Sequence, residues 1–172
     1  MIFQTERLYV REMNIGDLPS LSKILQDAET MAAYEHAFSD AETLAWLDRQ
    51  LERYAEHGFG LWAVVLRATG EMIGQCGPSV QDADGASVIE IGYLFQRAFW
   101  HNGYATEAAV GCKRYAFGVL GADEVFSIIR DTNFASMNVA IRNGMTVRGR
   151  FTKHYYGVDM PHYIFSVKKT AR

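Results

Sequence analysis

Apolar and polar positions change period several times along the chain, and each change predicts a new element. From Glu6 to Met13 they alternate, Leu8 and Val10 on one side and Arg7, Tyr9 and Arg11 on the other, as in a half-buried strand. Asp17 offers a helix cap before Leu18-Pro19, with proline in the first turn, and Leu18, Leu21 and Leu25 follow at helical spacing. The segment Glu29 to Phe38 keeps no period and predicts a loop or broken helix. Ser39-x-x-Glu42 has the form of a capping box; the helix it opens carries Leu44, Leu47, Leu51, Tyr54 and Ala55 on one stripe and stops at Gly58.

Strand patterns dominate the second half. Leu61 to Leu66, Met72 to Val80 and Val88 to Phe95 are joined by the turn-sized links Arg67 to Gly70 and Asp82 to Gly85, which predicts an antiparallel meander. Tyr104 to Phe117 reads as a helix, and Val125 to Arg130 as a strand that a helical crossover forces parallel to the Val88 strand. A ligand crevice can open where strand direction switches. Ser136 to Asn143 is the next helix, ended by Gly144, and two strands, Thr146 to His154 and His162 to Val167, finish the chain around Tyr155-Tyr156-Gly157. The sum is an α+β fold in one domain over residues 1–172, with a mixed, mostly antiparallel sheet of six or seven strands and about four helices.

Composition narrows the function classes. At 172 residues and 49% hydrophobic, the chain can bury a sizeable core, and a formal net charge of -3 without Lys or Arg runs argues against a nucleic-acid footprint. Cys76 and Cys112 lack C-x-x-C spacing and the five histidines form no ligand set, so neither a metal nor a disulfide is expected. The N-terminus becomes charged too early for a signal peptide and no apolar run approaches ~20 residues, so a cytoplasmic protein without membrane contact is expected.

The chemistry gathers where the Val88 strand turns through Asn102-Gly103 into the Tyr104 helix. A helix N-terminus presents unpaired N–H groups and about +0.5 charge, and a glycine lets a ligand approach the backbone, so this corner predicts an anion site. It lacks the G-K-S/T of a P-loop and the glycines of a dinucleotide fingerprint. Trp100-His101-Asn102-Gly103-Tyr104-Ala105 resembles motif A of the GNAT superfamily of acyl-CoA-dependent N-acyltransferases, usually R/Q-x-x-G-x-G/A, with Trp100 replacing Arg or Gln. Asn133 to Met145 resembles the family's second signature, N-x-x-S/A-x-x-L/V-x-x-K/R-x-G-F/M. Trp100 and the following G-Y-A-T-E-A resemble the branch of ribosomal-protein N-terminal acetyltransferases, the RimJ/RimL type.

The resemblance implies a GNAT fold, acetyl-CoA as cosubstrate and an amine acceptor, a peptide N-terminus or a small amine, met in a ternary complex by a monomer or homodimer. It implies a pyrophosphate on the N–H groups of His101 to Thr106, and a pantetheine arm along main-chain groups of Tyr93, Leu94 and Phe95. Asn133 and Arg142 join the coenzyme contacts, with Arg97 and Lys113 as further substitutes for the missing Arg or Gln. Tyr34, His36, Phe38 and His154 are expected to line the acceptor side.

Deprotonating an α-amino group of pKa ~7.8 at neutral pH costs about 1 kcal/mol, against nearly ~5 for a lysine at ~10.4. Glu90, opposite in facing to Ile91, is either the base that takes this proton or a partnered strand glutamate. The tyrosine that many relatives offer to the leaving thiolate is replaced by Ala140, which leaves Ser136 for that role, or as a helix cap, and Tyr155 or Tyr156 as further candidates. A non-catalytic acyl-CoA-binding module is the alternative reading.

Overall fold

The computed structural model describes residues 1–155 and 157–170, so the candidate Tyr156 lies outside the described residues. Eight strands form one sheet: β1 (Phe3–Gln4), β2 (Leu8–Arg11), β3 (Trp62–Leu66), β4 (Met72–Ala83), β5 (Ala86–Phe95), β6 (Glu124–Arg130), β7 (Thr146–Tyr155) and β8 (Val158–Lys168). Among the described residues the α-helices are α1 (Leu18–Leu25), α2 (Asp40–His57), α3 (Tyr104–Gly118) and α4 (Phe134–Arg142). The eighth strand is the two-residue β1, too short for a period to reveal, which Phe3 and Gln4 pair with Val10 and Tyr9.

Spatial order is β1-β2-β3-β4-β5-β6-β8-β7. Every neighbouring pair is antiparallel except β5 and β6, which are parallel because α3 carries the chain back across the sheet. That parallel pairing is brief: only Glu90 and Phe126 stand in register, whereas β4 and β5 pair from Ala83/Ala86 to Gly74/Phe95. Beyond Glu90 the two strands part.

Two apolar clusters cover the sheet. α3 and α4 bury Ala108, Ala109, Cys112, Ala116 and Ala140 with Val64, Ile91 and Val125, and α1 and α2 bury Leu21, Ile24, Leu25 and Leu47 with Ala63, Val65 and Met72. Alanine and Cys112 on α3 let that helix lie close to β4, where the Cys76 and Cys112 sulfurs are free thiols 3.4 Å apart.

Two local expectations are corrected. Asp17 makes no side-chain cap to α1; the Arg11 guanidinium takes both its oxygens at 2.7 Å, a charge-assisted fork that outcompetes a single N–H donor, and Asp17 also accepts from Asn14 N. On α2 the Ser39–Glu42 capping box forms and Gly58 ends the helix with φ 76, but the apolar stripe is rotated. Leu44 and Leu51 remain 40% and 37% exposed, while Thr43, Leu47 and Gln50 are buried. Polar side chains take the inner face because they bond there: Gln50 Oε1 accepts from Leu61 N at 3.1 Å, and Trp46 Nε1 donates to Gln75 Oε1 at 2.9 Å.

Candidate functional site

The turn before α3 is an exposed rim of main-chain donors. His101 and Gly103 both take left-handed φ, 62 and 79, which folds the backbone around Asn102; at Gly103 a side chain would be strained by this angle. No side chain caps α3, and the first bond closing the helix is Glu107 N to Gly103 O at 3.0 Å, so the N–H groups of Tyr104, Ala105 and Thr106 have no intrahelical acceptor. Such a turn can hold an anion at several points.

Trp100 explains its own presence in that turn. Its ring packs on the core and its Nε1 donates to Phe95 O at 2.9 Å, locking the end of β5 to the corner. That bond occupies one of the main-chain acceptors expected to serve a pantetheine arm.

A cation that the sequence did not single out braces the other side. Arg7 donates through Nε to Glu107 at 2.7 Å and through its terminal nitrogen to Asn102 O at 2.9 Å, and its guanidinium lies 4.5 Å from the Tyr104 ring centre. Burial opposes ionisation of Glu107, but the bonds from Thr5 and Arg7 prevail and hold its pKa below the usual carboxylate range. Arg97 and Lys113, the other expected substitutes, are engaged elsewhere: Arg97 with Asp27 and Glu29 at 3.1 and 2.7 Å, Lys113 with Asn143 O at 2.5 Å. Arg142 is exposed in the last turn of α4, where a cation suits the helix dipole.

Where β5 and β6 part, a cavity of about 620 Å³ opens toward α2 and β7. Glu90, Tyr93, Leu94, Asn133, Ser136, Tyr155, Tyr34 and Phe38 all line it. Glu90 sits at the fork: its Oε1 accepts from Ile128 N at 3.0 Å, an amide left without a β5 partner by the divergence, and Ser127 Oγ donates to Ile91 O at 2.9 Å beside it. Its carboxyl faces the cavity with protein packed around it. Burial therefore raises its pKa, against the opposing pull of the Ile128 N–H, Lys153 and Arg53.

Around this carboxyl stand hydroxyls and aromatic rings. Burial, with Glu90 and Tyr155 nearby, pushes the Tyr34 phenol upward, so it stays protonated at neutral pH. Tyr34 and Phe38 meet the Trp46 ring edge-on at 6.1 and 5.8 Å between centres. Tyr93 OH donates to Ser136 O at 2.7 Å, a post from β5 to the start of α4. Ser136 is not the helix cap; Asn133 is, its Oδ1 accepting from Ser136 N at 3.2 Å, and Ser136 lines the cavity with its hydroxyl free of the capping role. Ala140 is fully buried in the core and its methyl offers no acid for the leaving thiolate.

Two expected lining residues lie outside this cavity. His36 Nε2 meets Glu42 Oε1 at 2.8 Å, and exposed His154 meets Asp159 Oδ1 at 2.6 Å. His162 lines the wall instead, buried beside Tyr155 and with its pKa lowered by burial. The sequence places it only at the start of the last strand.

Residues 7–146, a span that contains the corner, the fork and the start of α4, match the acetyltransferase (GNAT) domain family. The chain belongs to the GNAT acetyltransferase family. It is an acyltransferase with N-acetyltransferase relatives, in a family that uses acetyl-CoA. The uncharacterized protein YkkB of Bacillus subtilis is 34% identical over 142 residues, 82% of this chain and 83% of that one. A GNAT-family acetyltransferase from Bacillus anthracis superposes with a TM-score of 0.82 at 21% identity, over 96% of both chains. A RimL-type ribosomal-protein α-N-acetyltransferase solved with coenzyme A superposes with a TM-score of 0.74 at 18% identity, over 97% of both chains. Likenesses this remote establish the fold that this acetyltransferase shares. Among the described residues no His, Cys, Asp and Glu group could hold a metal, and no helix is long and apolar enough to cross a membrane.

Proposed function

We propose that this chain transfers the acetyl group of acetyl-CoA to a primary amine by direct attack in a ternary complex. The observation that carries the reading is the Glu90 carboxyl, held at the β5/β6 fork with its pKa raised, on the floor of a cavity large enough for a small molecule or the end of a peptide. The coenzyme's pyrophosphate is assigned to the N–H groups from His101 to Thr106, and its arm to the unpaired edge of β5 beyond Glu90.

The acceptor enters from the α2 side. Its amine gives a proton to Glu90, directly or through water, and the nitrogen lone pair forms the bond to the thioester carbon. The C–S bond then breaks, and the second proton shed by the nitrogen reaches the thiolate through a hydroxyl that takes up one proton as it gives its own, Ser136 first and Tyr155 as the alternative. A main-chain N–H of β5 polarises the carbonyl, a contribution of ~3 kcal/mol in comparable acyl transfers.

Thermal unfolding tests the coenzyme assignment first. Acetyl-CoA and coenzyme A at ~100 times their dissociation constant add about 2.7 kcal/mol and raise the Tm, and NAD and ATP do not. Thiol release on adding a panel of amines then tests transfer. No shift with acetyl-CoA at saturation would remove the coenzyme assignment of the corner.

A further inference from the structure

The cavity beside Glu90 is richer in cations than a site for an amine requires. α2 contributes Arg49 and Arg53, one helical turn apart, β6 contributes Arg130 and β7 contributes Lys153. Two like charges at this spacing on a helix repel each other. Among the described residues no carboxylate lies within ion-pair distance of Arg49, Arg53 or Lys153. Arg53 is half-buried, and among the described residues its hydrogen bond is a long 3.4 Å contact to Gln50 Oε1. Arg130 is paired with Glu35, yet its Nε is buried without a hydrogen-bond partner.

The acids of the cavity do not balance this charge. Glu42 is committed at the head of α2, accepting from Ser39 N and meeting His36, each at 2.8 Å, and its pKa falls to about 2, first through the Ser39 bond and then through His36. Glu90 lies at the fork with Ile128 N on one oxygen. Arg53 and Lys153 share the field of one carboxylate, Glu90, and exposed Arg49 adds to the excess, so an occupant that brings negative charge is favoured and one that brings several positive charges is repelled.

We propose that the acceptor is an amine that also carries an anionic group, a carboxylate or its equivalent, which Arg53 and Arg49 hold together with Lys153 while the amine meets Glu90. This rests on the acetyl-transfer reading of the same site and deepens it to a substrate class. The forked guanidinium suits bidentate binding of a carboxylate, and Lys153 adds a point charge from β7. Tyr34, Phe38 and Trp46 supply an apolar face for the remainder of the acceptor. A free amino acid and a peptide with an acidic residue near its N-terminus both present this chemistry.

The test separates binding from turnover. N-acetylphenylalanine and its amide are titrated calorimetrically into the full chain saturated with coenzyme A, and the carboxylate binds at least tenfold tighter, an advantage that shrinks with added salt. Arg53→Met and Lys153→Met, on two different elements, each bring the two ligands to within about threefold of each other; should one variant fail to fold, the other reads the same quantity. Equal binding of carboxylate and amide by the native chain, or preference for the amide, overturns the inference.

In parallel, thiol release from acetyl-CoA is compared for phenylalanine, for phenylalanyl peptide amides with Asp or Ala in second place, and for spermidine. Transfer favouring phenylalanine points to the free amino acid as the source of the anion, and transfer favouring the Asp peptide to a protein N-terminus. A preference for spermidine overturns the inference while leaving acetyl transfer intact. Carboxylate-selective binding without thiol release from any amine supports the anion site and counts against the chemistry assigned to Glu90.

Discussion

The corner that opens α3 and the cavity at the β5/β6 fork are built from different parts of the chain. The corner uses main-chain N–H groups from consecutive residues, with Gly103 setting the bend and Trp100 pinning it to Phe95. The cavity uses side chains from the segment before α2, α2, α4 and strands β4 to β8, far apart in sequence. A main-chain site is demanding about conformation and tolerant of side chains, so it accepts Trp100 where many relatives have Arg or Gln. A side-chain site can change its ligand by changing one residue on any of several elements. One half of the molecule is therefore suited to a constant cosubstrate and the other to a variable partner.

The largest expected effect tests the cavity. Glu90→Gln keeps an acceptor for Ile128 N and removes the base, so turnover near neutral pH falls by ~100-fold or more. The deficit narrows toward pH 9, where a free amine needs less help, and the acidic limb of the kcat/KM profile disappears. A deficit that is the same at every pH would remove Glu90 as the base.

Gly103→Val tests the corner alone. A β-branched residue at φ 79 forces the turn to reorganise at a cost of ~1–3 kcal/mol, so the KM for acetyl-CoA rises about tenfold or more while the KM for the acceptor changes little. If both constants rose together, the division between the two regions would fail. Trp100→Phe is milder. It deletes the bond to Phe95 O, worth ~1 kcal/mol, and lowers the Tm by about 2–4 °C in a thermal scan.

The smallest effect is read in stability against pH. Burial raises the pKa of Glu90 above its unfolded value, so the folded state prefers the protonated acid. That preference is present in full below the unfolded pKa of ~4.3 and is lost as the pH rises through the folded value. Glu90→Gln should therefore match the native Tm most closely at pH 4 and gain on it between pH 4 and 8. A constant difference across that range would mean that the carboxyl is not desolvated.

The same division decides what could be read from the sequence. Gly103 and the helix after it announce themselves because only certain residues fit that backbone, and the strands follow from alternation. Arg49 and Arg53 look like the solvated face of an amphipathic helix until α2 is placed, and that helix was misjudged by rotation because its inner face is held by Thr43 and Gln50. Arg7 looked like the polar side of a strand, and its bond to Asn102 spans 95 residues, beyond any local pattern. Ser136 was half legible: its place at the start of α4 was clear, but Asn133 performs the capping. His36 and His154 were expected from the resemblance, and each bonds a nearby carboxylate, Glu42 at the cavity's edge and Asp159 outside it, without itself lining the cavity.

The short pairing of β5 with β6 also has a consequence for how the sheet breathes. With one register pair between them, β1 to β5 and β6 to β8 are two stiff leaves along a seam, joined mainly by α3, α4 and the bonds that Glu90 and Ser127 make across it. Local opening should run along that seam, so the edge amides of β5 and β6 exchange with solvent sooner than those of the long β4–β5 ladder. A ligand arm laid in the gap would act as a missing strand, slowing exchange on both leaves at once and tying the rigidity of the sheet to the concentration of the ligand.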